Sequence, residues 1–170
     1  VAFLLLIVGG GITYRSSAEF VRSAQSVART QEIRTRLGQL YAAVSDAESA
    51  ARTYVLIGTP RYRDDHARFA RASQDHAQAA SGLITDPALQ RSMERSNALV
   101  ARRLSALEQV LATHDDQGRE AARARVATEE GTRIMDALRA LTLQMDDAEA
   151  ALLVQRQAHA NRDRLNALVF

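Results

Sequence analysis

Proline occurs at only two positions in this chain of 170 residues. Pro60 follows Gly58-Thr59, and Pro87 follows Asp86. Because proline lacks the N–H that a helix interior needs, it interrupts a helix everywhere except in the first turn. Both prolines follow residues that commonly end or cap a helix, so we expect them to begin new helices. The proline-free stretches around them can form long continuous helices.

Composition favours the same fold class. Hydrophobic residues make up 46% of the chain but aromatic residues only 5%, and much of the apolar content is alanine. This combination favours closely packed helices over a sheet. The absence of cysteine excludes disulfides, zinc–thiolate sites and covalent haem attachment. A net charge of +2 gives no argument for binding to nucleic acid.

Apolar stripes define four predicted helices, at about residues 15–57, 61–84, 87–114 and 119–164. In each stripe the residues step by three and four positions, the spacing that places side chains on one helix face. The stripe of the second helix is weaker because it includes histidine and serine. The four stripes are Ile33, Leu37, Leu40, Val44, Ala47, Ala51 and Tyr54; Tyr62, His66, Phe69, Ser73, His76, Ala80 and Leu83; Leu89, Met93, Val100, Leu104, Leu107 and Leu111; and Ile134, Leu138, Leu141, Met145, Ala148 and Leu152.

Short connections between these helices predict their arrangement. Gly58-Thr59 separates the first two helices, Thr85-Asp86 the next two, and the polar turn 115–118 the last two. Because short loops make sequential helices antiparallel, we predict an all-α, up-down-up-down four-helix bundle over residues 15–164. Its long first and last helices would run to a membrane.

The two ends of the chain are apolar. Residues 1–12 read VAFLLLIVGGGI, and residues 165–170 read LNALVF. Neither stretch reaches the about 20 residues that span a bilayer. We predict a truncated transmembrane helix at 1–14 and the start of a second one at 165–170. The alternatives are a signal peptide or core helix at the first end, and an ordinary helix end at the second.

Two patches of sequence carry a resemblance to a known family. The first is Asp46-Ala47-Glu48, Arg52 and the run from Tyr54 to Gly58. The second comprises Gly131, Met135-Asp136, Leu138-Arg139, Glu149 and residues 152–156. Together they resemble the CHASE-three family of extracellular sensor domains, named for their association with cyclases and histidine kinases. The chain departs from the family pattern at Ser49, Ala50, Ala51, Thr53 and Ile57.

The resemblance implies the sensory input domain of a bacterial membrane-bound receptor, first of all a sensor histidine kinase, with a cyclase or a chemotaxis-type transducer as alternatives. The output module would lie outside this chain. The receptor would be a homodimer in the inner membrane, with residues 15–164 periplasmic or extracellular. Its stimulus, a small molecule or a physical state, is unknown, and the first and fourth helices would transmit it by a small shift.

The candidate site residues come from these two patches. They either line a ligand site or hold the bundle tip together, and we favour the second interpretation. Glu48 and Arg52 have the i, i+4 spacing of an ion pair, and Asp46 could pair with an arginine of another helix such as Arg139. Asp46 and Glu48 lie on opposite flanks of the apolar stripe. The full set is Asp46, Glu48, Arg52, Tyr54, Gly58, Met135, Asp136 and Arg139.

Catalysis and cofactor binding receive no support from the sequence. No nucleophile, nucleotide or phosphate-binding motif is present. Adjacent carboxylates such as Asp146-Asp147 point about 100° apart on a helix and cannot work as an acid–base pair. We therefore predict no catalytic residue, metal or cofactor. Two alternatives stay open: a metal- or haem-binding bundle using His66, His76 or Met93, and a coiled-coil spacer without a ligand.

Overall fold

The computed structural model describes the backbone of residues 2–126 and 129–168, and the side chains of residues 21, 24–126, 129–159, 161 and 162. Within these ranges the regular structure is entirely helical, and no strand occurs. This confirms the predicted all-α class. The helices are α1 (Ala2–Ile57), α2 (Pro60–Leu83), α3 (Pro87–Gln117), α4 (Arg119–Val126) and α5 (Glu129–Leu168).

Some helix bounds differ from the prediction. α1 begins at Ala2, so the apolar segment from residue 2 to 14 and the predicted first helix from residue 15 form one continuous helix. α3 runs through most of the predicted turn and ends only at Gln117. The predicted fourth helix corresponds to α4 and α5, and residues 127–128 between them lie outside the described residues.

Local chemistry explains three helix ends, namely the start of α3 and the ends of α1 and α3. The Asp86 carboxylate accepts hydrogen bonds from the N–H groups of Ala88 (2.9 Å) and Leu89 (3.0 Å), which caps α3 as predicted. Gly58 and Gly118 follow α1 and α3 with φ angles of 76° and 86°. Because only glycine takes these angles without a Cβ penalty, both positions stop their helices sharply.

Two compact units make up the fold: residues 33–147 form a central unit, and residues up to 32 with those from 148 onward form a terminal unit. In the central unit the predicted α1 stripe is confirmed, since Ile33, Leu37, Leu40 and Val44 are at most 1% exposed. Most of the other stripe positions are buried or half-buried as well. The periodic apolar residues therefore form the core.

Contacts between helices show how the central unit is arranged. His66 of α2 contacts Ala47 of α1, and His76 further along α2 contacts Arg36 further back on α1. These two helices are therefore antiparallel. By the same reasoning α2 and α3 are antiparallel, since His66 contacts Glu108 while the preceding Arg63 contacts the later Asp115. The pairings agree with the predicted up-down order of these helices.

The terminal unit contains a buried acidic group. Glu149 is 1% exposed, and its Oε2 accepts a hydrogen bond of 3.1 Å from the Thr30 hydroxyl, which is also buried. Arg156 Nη1 lies 3.8 Å from the same oxygen. Thr30 and Arg156 thus compensate a carboxylate that would otherwise be costly to bury.

No helix has a stretch long and apolar enough to cross a membrane in the part of the chain that the structure describes. The side chains of residues 1–14 and 165–170 lie outside the described residues. The two truncated membrane helices therefore stay predictions.

Candidate functional site

A polar groove between α1 and α5 brings the two resemblance patches together. Its volume is about 420 Å³. Four of the eight predicted site residues line it, and five of its nine lining residues carry a hydroxyl group. We call it the α1–α5 groove; its lining residues are Tyr41, Ser45, Glu48, Ser49, Arg52, Thr53, Thr132, Met135 and Asp136.

Glu48, at the base of the groove, is shared by two arginines. Its side chain is buried, and Oε1 lies 2.5 Å from Arg52 Nη2. This confirms the predicted i, i+4 pair. On the other side, Oε2 accepts a hydrogen bond of 3.1 Å from Nε of Arg103 and lies 2.9 Å from its Nη2. Arg103 is only 7% exposed. One carboxylate therefore joins α1 to α3 in the interior.

Arg103 is not among the predicted site residues, although the sequence contains a signal for it. Arg103 lies three residues after Val100 and four before Leu107, both buried. It thus occupies a core position in the heptad pattern of α3. A charged residue at a core position requires a buried partner of opposite charge. Periodicity alone could have identified Arg103 as buried, but not its partner.

Gly131 of α5 provides the space for the Arg103 guanidinium. A Cβ atom at position 131 would lie 2.6 Å from Arg103 Nη1 and 2.9 Å from Cζ. Because these distances are too short, any residue other than glycine at position 131 would displace the Arg103 guanidinium. Gly131 belongs to the second resemblance patch. The structure explains sterically why a glycine fits at this position, since a larger residue would collide with Arg103.

A second polar cluster, which we call the tip cluster, comprises Tyr54, Arg63, His114 and Asp115. The Tyr54 hydroxyl donates to Asp115 Oδ1 at 2.8 Å, and Arg63 Nη1 lies 2.8 Å from Oδ2. His114 packs against the Tyr54 ring with 4.8 Å between ring centroids. Residues from α1, α2 and α3 thus meet at the end of the bundle where α1 and α3 stop.

The contacts in the tip cluster shift two pKa values. Partial burial alone would raise the pKa of Asp115, but the hydrogen bonds from Tyr54 and His114 and the charge of Arg63 bring it below its usual value. The hydrogen bond to Asp115, and secondly burial, raise the pKa of the Tyr54 hydroxyl. Both shifts favour the state in which the Tyr54 hydroxyl is protonated and the Asp115 carboxyl is ionised.

The remaining predicted site residues lie elsewhere. Asp46 and Arg139 are both exposed, and neither forms an ion pair with any residue in the described ranges. The suggested pairing between them is therefore not seen. Gly58 ends α1 beyond Tyr54. Of the eight predicted residues, four line the α1–α5 groove, Tyr54 belongs to the tip cluster, Gly58 ends α1, and Asp46 and Arg139 are exposed.

The histidines do not converge as the metal or haem alternative requires. Both ring nitrogens of His66 face acceptors, namely the Ala47 carbonyl at 2.9 Å and the Glu108 carboxylate at 3.2 Å. His76 lies beside Arg36, eleven residues from Ala47 along α1 and so about 16 Å away. Among the described residues, no group of three or more His, Asp or Glu side chains is placed to hold a metal ion.

Comparison with known proteins gives one family and two structures. The profile of the CHASE3 domain family matches residues 23–159. The sensor domain of the Rhodopseudomonas palustris histidine kinase HK9 has a similar structure, with a TM-score of 0.68 and 21% identity, covering 74% of this chain and 98% of its own. The periplasmic sensor domain of another sensor histidine kinase gives the same TM-score and identity over 84% of this chain and 97% of its own. No curated protein matches the chain significantly.

Proposed function

This chain belongs to the CHASE3 domain family, and from that premise we propose that it is the extracytoplasmic sensory input domain of a bacterial membrane receptor. The observation that carries the proposal is the α1–α5 groove, where residues of both resemblance patches meet between the first and last helices. These are the helices that would lead to the membrane and to an output module outside this chain.

A sensor histidine kinase is the receptor class we propose. Its support is the likeness of this fold to two histidine kinase sensor domains. We propose no reaction for the chain itself.

Signal transmission would use small displacements of α1 against α5. Within the central unit these helices are joined by Arg34, whose Nε and Nη2 donate to the two carboxylate oxygens of Asp146 at 2.6 and 2.9 Å. This two-point contact fixes the axial position of one helix against the other. A stimulus that favours another axial position would have to break or rearrange it, which makes the pair a suitable place to test transmission.

The test couples the chain to a histidine kinase output module in membrane vesicles. Because the chain contains no cysteine, Arg34→Cys with Asp146→Cys gives a unique pair when the coupled kinase module is also free of cysteine. A short bis-maleimide, which adds to both thiols, can link this pair. We expect linking to change the autophosphorylation rate by about fivefold or more, the lower end of typical coupling between sites. The unlinked double variant and each single variant are the controls. Equal rates with and without the link would contradict transmission through these helices.

We also propose that the chain forms a homodimer through its terminal unit. Two valines there are exposed, Val21 by 52% and Val154 by 65%. Sedimentation measured over a range of protein concentrations tests this. Val154→Glu should shift the chain towards monomer, whereas Leu143→Glu, at a position of the central unit that is 57% exposed, should not. A monomer at every concentration, or equal effects of both changes, would contradict the proposal.

A further inference from the structure

The central unit contains a cavity of about 160 Å³ beside the Glu48–Arg103 pair, which opens to solvent between exposed side chains such as Arg52 and Glu130. Its walls come from α1, α3, α4 and α5. Most of the wall is aliphatic, and the charged groups are three arginines and one glutamate. The lining residues are Ala51, Arg52, Arg103, Ala106, Leu107, Gln109, Val110, Arg125, Val126, Glu130, Gly131 and Ile134.

The charges beside this cavity are unbalanced. Arg52 and Arg103 both line it, and both form their ion pairs with the single carboxylate of Glu48. Glu130, the acid in the wall, is paired with Arg102, with 2.5 Å between Nη2 and Oε1. Around Glu48, two guanidinium groups share one carboxylate, which leaves one positive charge in excess on this side of the cavity.

We propose that the cavity binds a small monocarboxylate with a compact apolar body. The carboxylate would lie against Arg52 and Arg103, where it supplies the missing negative charge. The aliphatic walls would enclose the rest of the ligand. The role of this ligand rests on the proposed function, because the ligand would be the stimulus that the receptor detects.

The size and chemistry of the cavity define the ligand class. A cavity of about 150 Å³ in a helical protein accommodates a benzene-sized molecule, so the volume of 160 Å³ fits a body of about six carbon atoms. An inorganic anion would leave the aliphatic walls unfilled. A dicarboxylate would bring two negative charges, whereas Arg52 and Arg103 together have only one positive charge that Glu48 does not balance. A neutral analogue would lose the charged hydrogen bonds.

Benzoate is the probe, and benzamide, of equal size and no charge, is the matched control. Calorimetric titration of the full chain should show saturable benzoate binding at one site and at least about tenfold weaker binding of benzamide, as expected for loss of a charged hydrogen bond. Sulfate, a small anion without an apolar body, should not compete with benzoate.

Two pairs of variants locate the site. Ala106→Leu fills the cavity without changing charge, and Ala101→Leu makes the same change at an exposed position of α3. Arg52→Gln removes one guanidinium from the site. Arg91→Gln removes the same charge from an exposed position of α3 that lies about 18 Å from Arg103 along the helix axis. We expect Ala106→Leu to abolish benzoate binding and Arg52→Gln to weaken it about tenfold, with wild-type affinity in both controls.

Several results would overturn the inference: no saturable benzoate binding, equal binding of benzamide, competition by sulfate, or unchanged affinity in Arg52→Gln. The Arg52 side chain is 50% exposed, so its replacement tests the site even if Ala106→Leu does not fold. Failure here is distinct from failure of the proposed function. Binding without an effect on a coupled kinase would contradict the receptor role only, and a kinase response without benzoate binding would contradict only the site.

Discussion

The Tyr54 hydroxyl donates a 2.8 Å hydrogen bond to the Asp115 carboxylate, joining the ends of α1 and α3 across 61 residues of sequence. Arg63 of α2 reaches the other oxygen of the same carboxylate. Three helices are thereby fixed together at one end of the bundle. Because Asp115 is 37% exposed, solvent screens these interactions and limits what they contribute to stability.

Removing the Tyr54 hydroxyl should lower stability modestly. Tyr54→Phe keeps the ring against His114 but loses the hydrogen bond, so we expect unfolding to become easier by about 1 kcal/mol or less. Chemical denaturation at pH 7 measures the change. Tyr41→Phe is the matched control, since the Tyr41 hydroxyl has no hydrogen-bond partner among the described residues. An equal loss in both variants would show that the Asp115 contact contributes nothing.

Acid should weaken the tip cluster. The pKa of Asp115 is lower in the folded chain than its usual value, so its contribution is present above the unfolded pKa and is lost as the pH falls through the folded pKa. The free energy of unfolding of the wild type should therefore decrease below about pH 4. Tyr54→Phe should show a smaller decrease, because one of the contacts that lower the Asp115 pKa is gone. Identical pH profiles would contradict this.

Alanine at two helical glycines should have opposite effects. Gly38 has open space around its missing Cβ, so Gly38→Ala should stabilise α1 by about 0.5–1 kcal/mol through helix propensity alone. Gly131→Ala gains the same propensity but displaces the Arg103 guanidinium from Glu48. Losing a buried charged hydrogen bond costs about 1.5–3 kcal/mol, so the net effect should be destabilising by about 1 kcal/mol. Thermal unfolding of both variants tests this, and a stabilised Gly131→Ala would show that Arg103 adapts without cost.

A carboxylate at Leu40 should prevent folding. Leu40 is 0% exposed in the α1 stripe, and burying a carboxylate among the apolar side chains of that stripe is costly. Circular dichroism should show no cooperative melt for Leu40→Glu. The exposed neighbour gives the control, and Gln39→Glu should melt as the wild type does. A normal melt of Leu40→Glu would contradict the helix register described here.

Loss of the Thr30 hydroxyl should weaken the terminal unit. Thr30→Val keeps the side-chain shape but removes the donor to the buried Glu149 carboxylate. We expect a loss of about 1–3 kcal/mol, the usual cost of leaving a buried acceptor unsatisfied. Hydrogen exchange of amides around residue 30 should become faster. Thr35→Val, at an exposed position of the same helix, should leave exchange unchanged, and equal exchange in both variants would contradict the prediction.

Sequence alone determined the helices and their core faces. Proline and glycine act locally, so Pro60, Pro87 and Gly58 predicted where helices begin and end. The three-and-four spacing of apolar residues predicted the buried side of α1, because helix geometry places such residues on one face whatever they pack against. The Glu48–Arg52 pair was predictable for the same reason, since both residues lie on one helix.

Only the tertiary structure decided which side chains meet across helices. Asp46 and Glu48 flank the α1 stripe symmetrically, so the sequence gives no reason to bury one and expose the other. The rotation of α1 about its axis and its axial position against α3 place Glu48 beside Arg103 and leave Asp46 in solvent. Those two quantities depend on the packing of all the helices together. For this reason the partner of Glu48, the Tyr54–Asp115 bond and the cavity beside Arg103 could not be derived from local pattern.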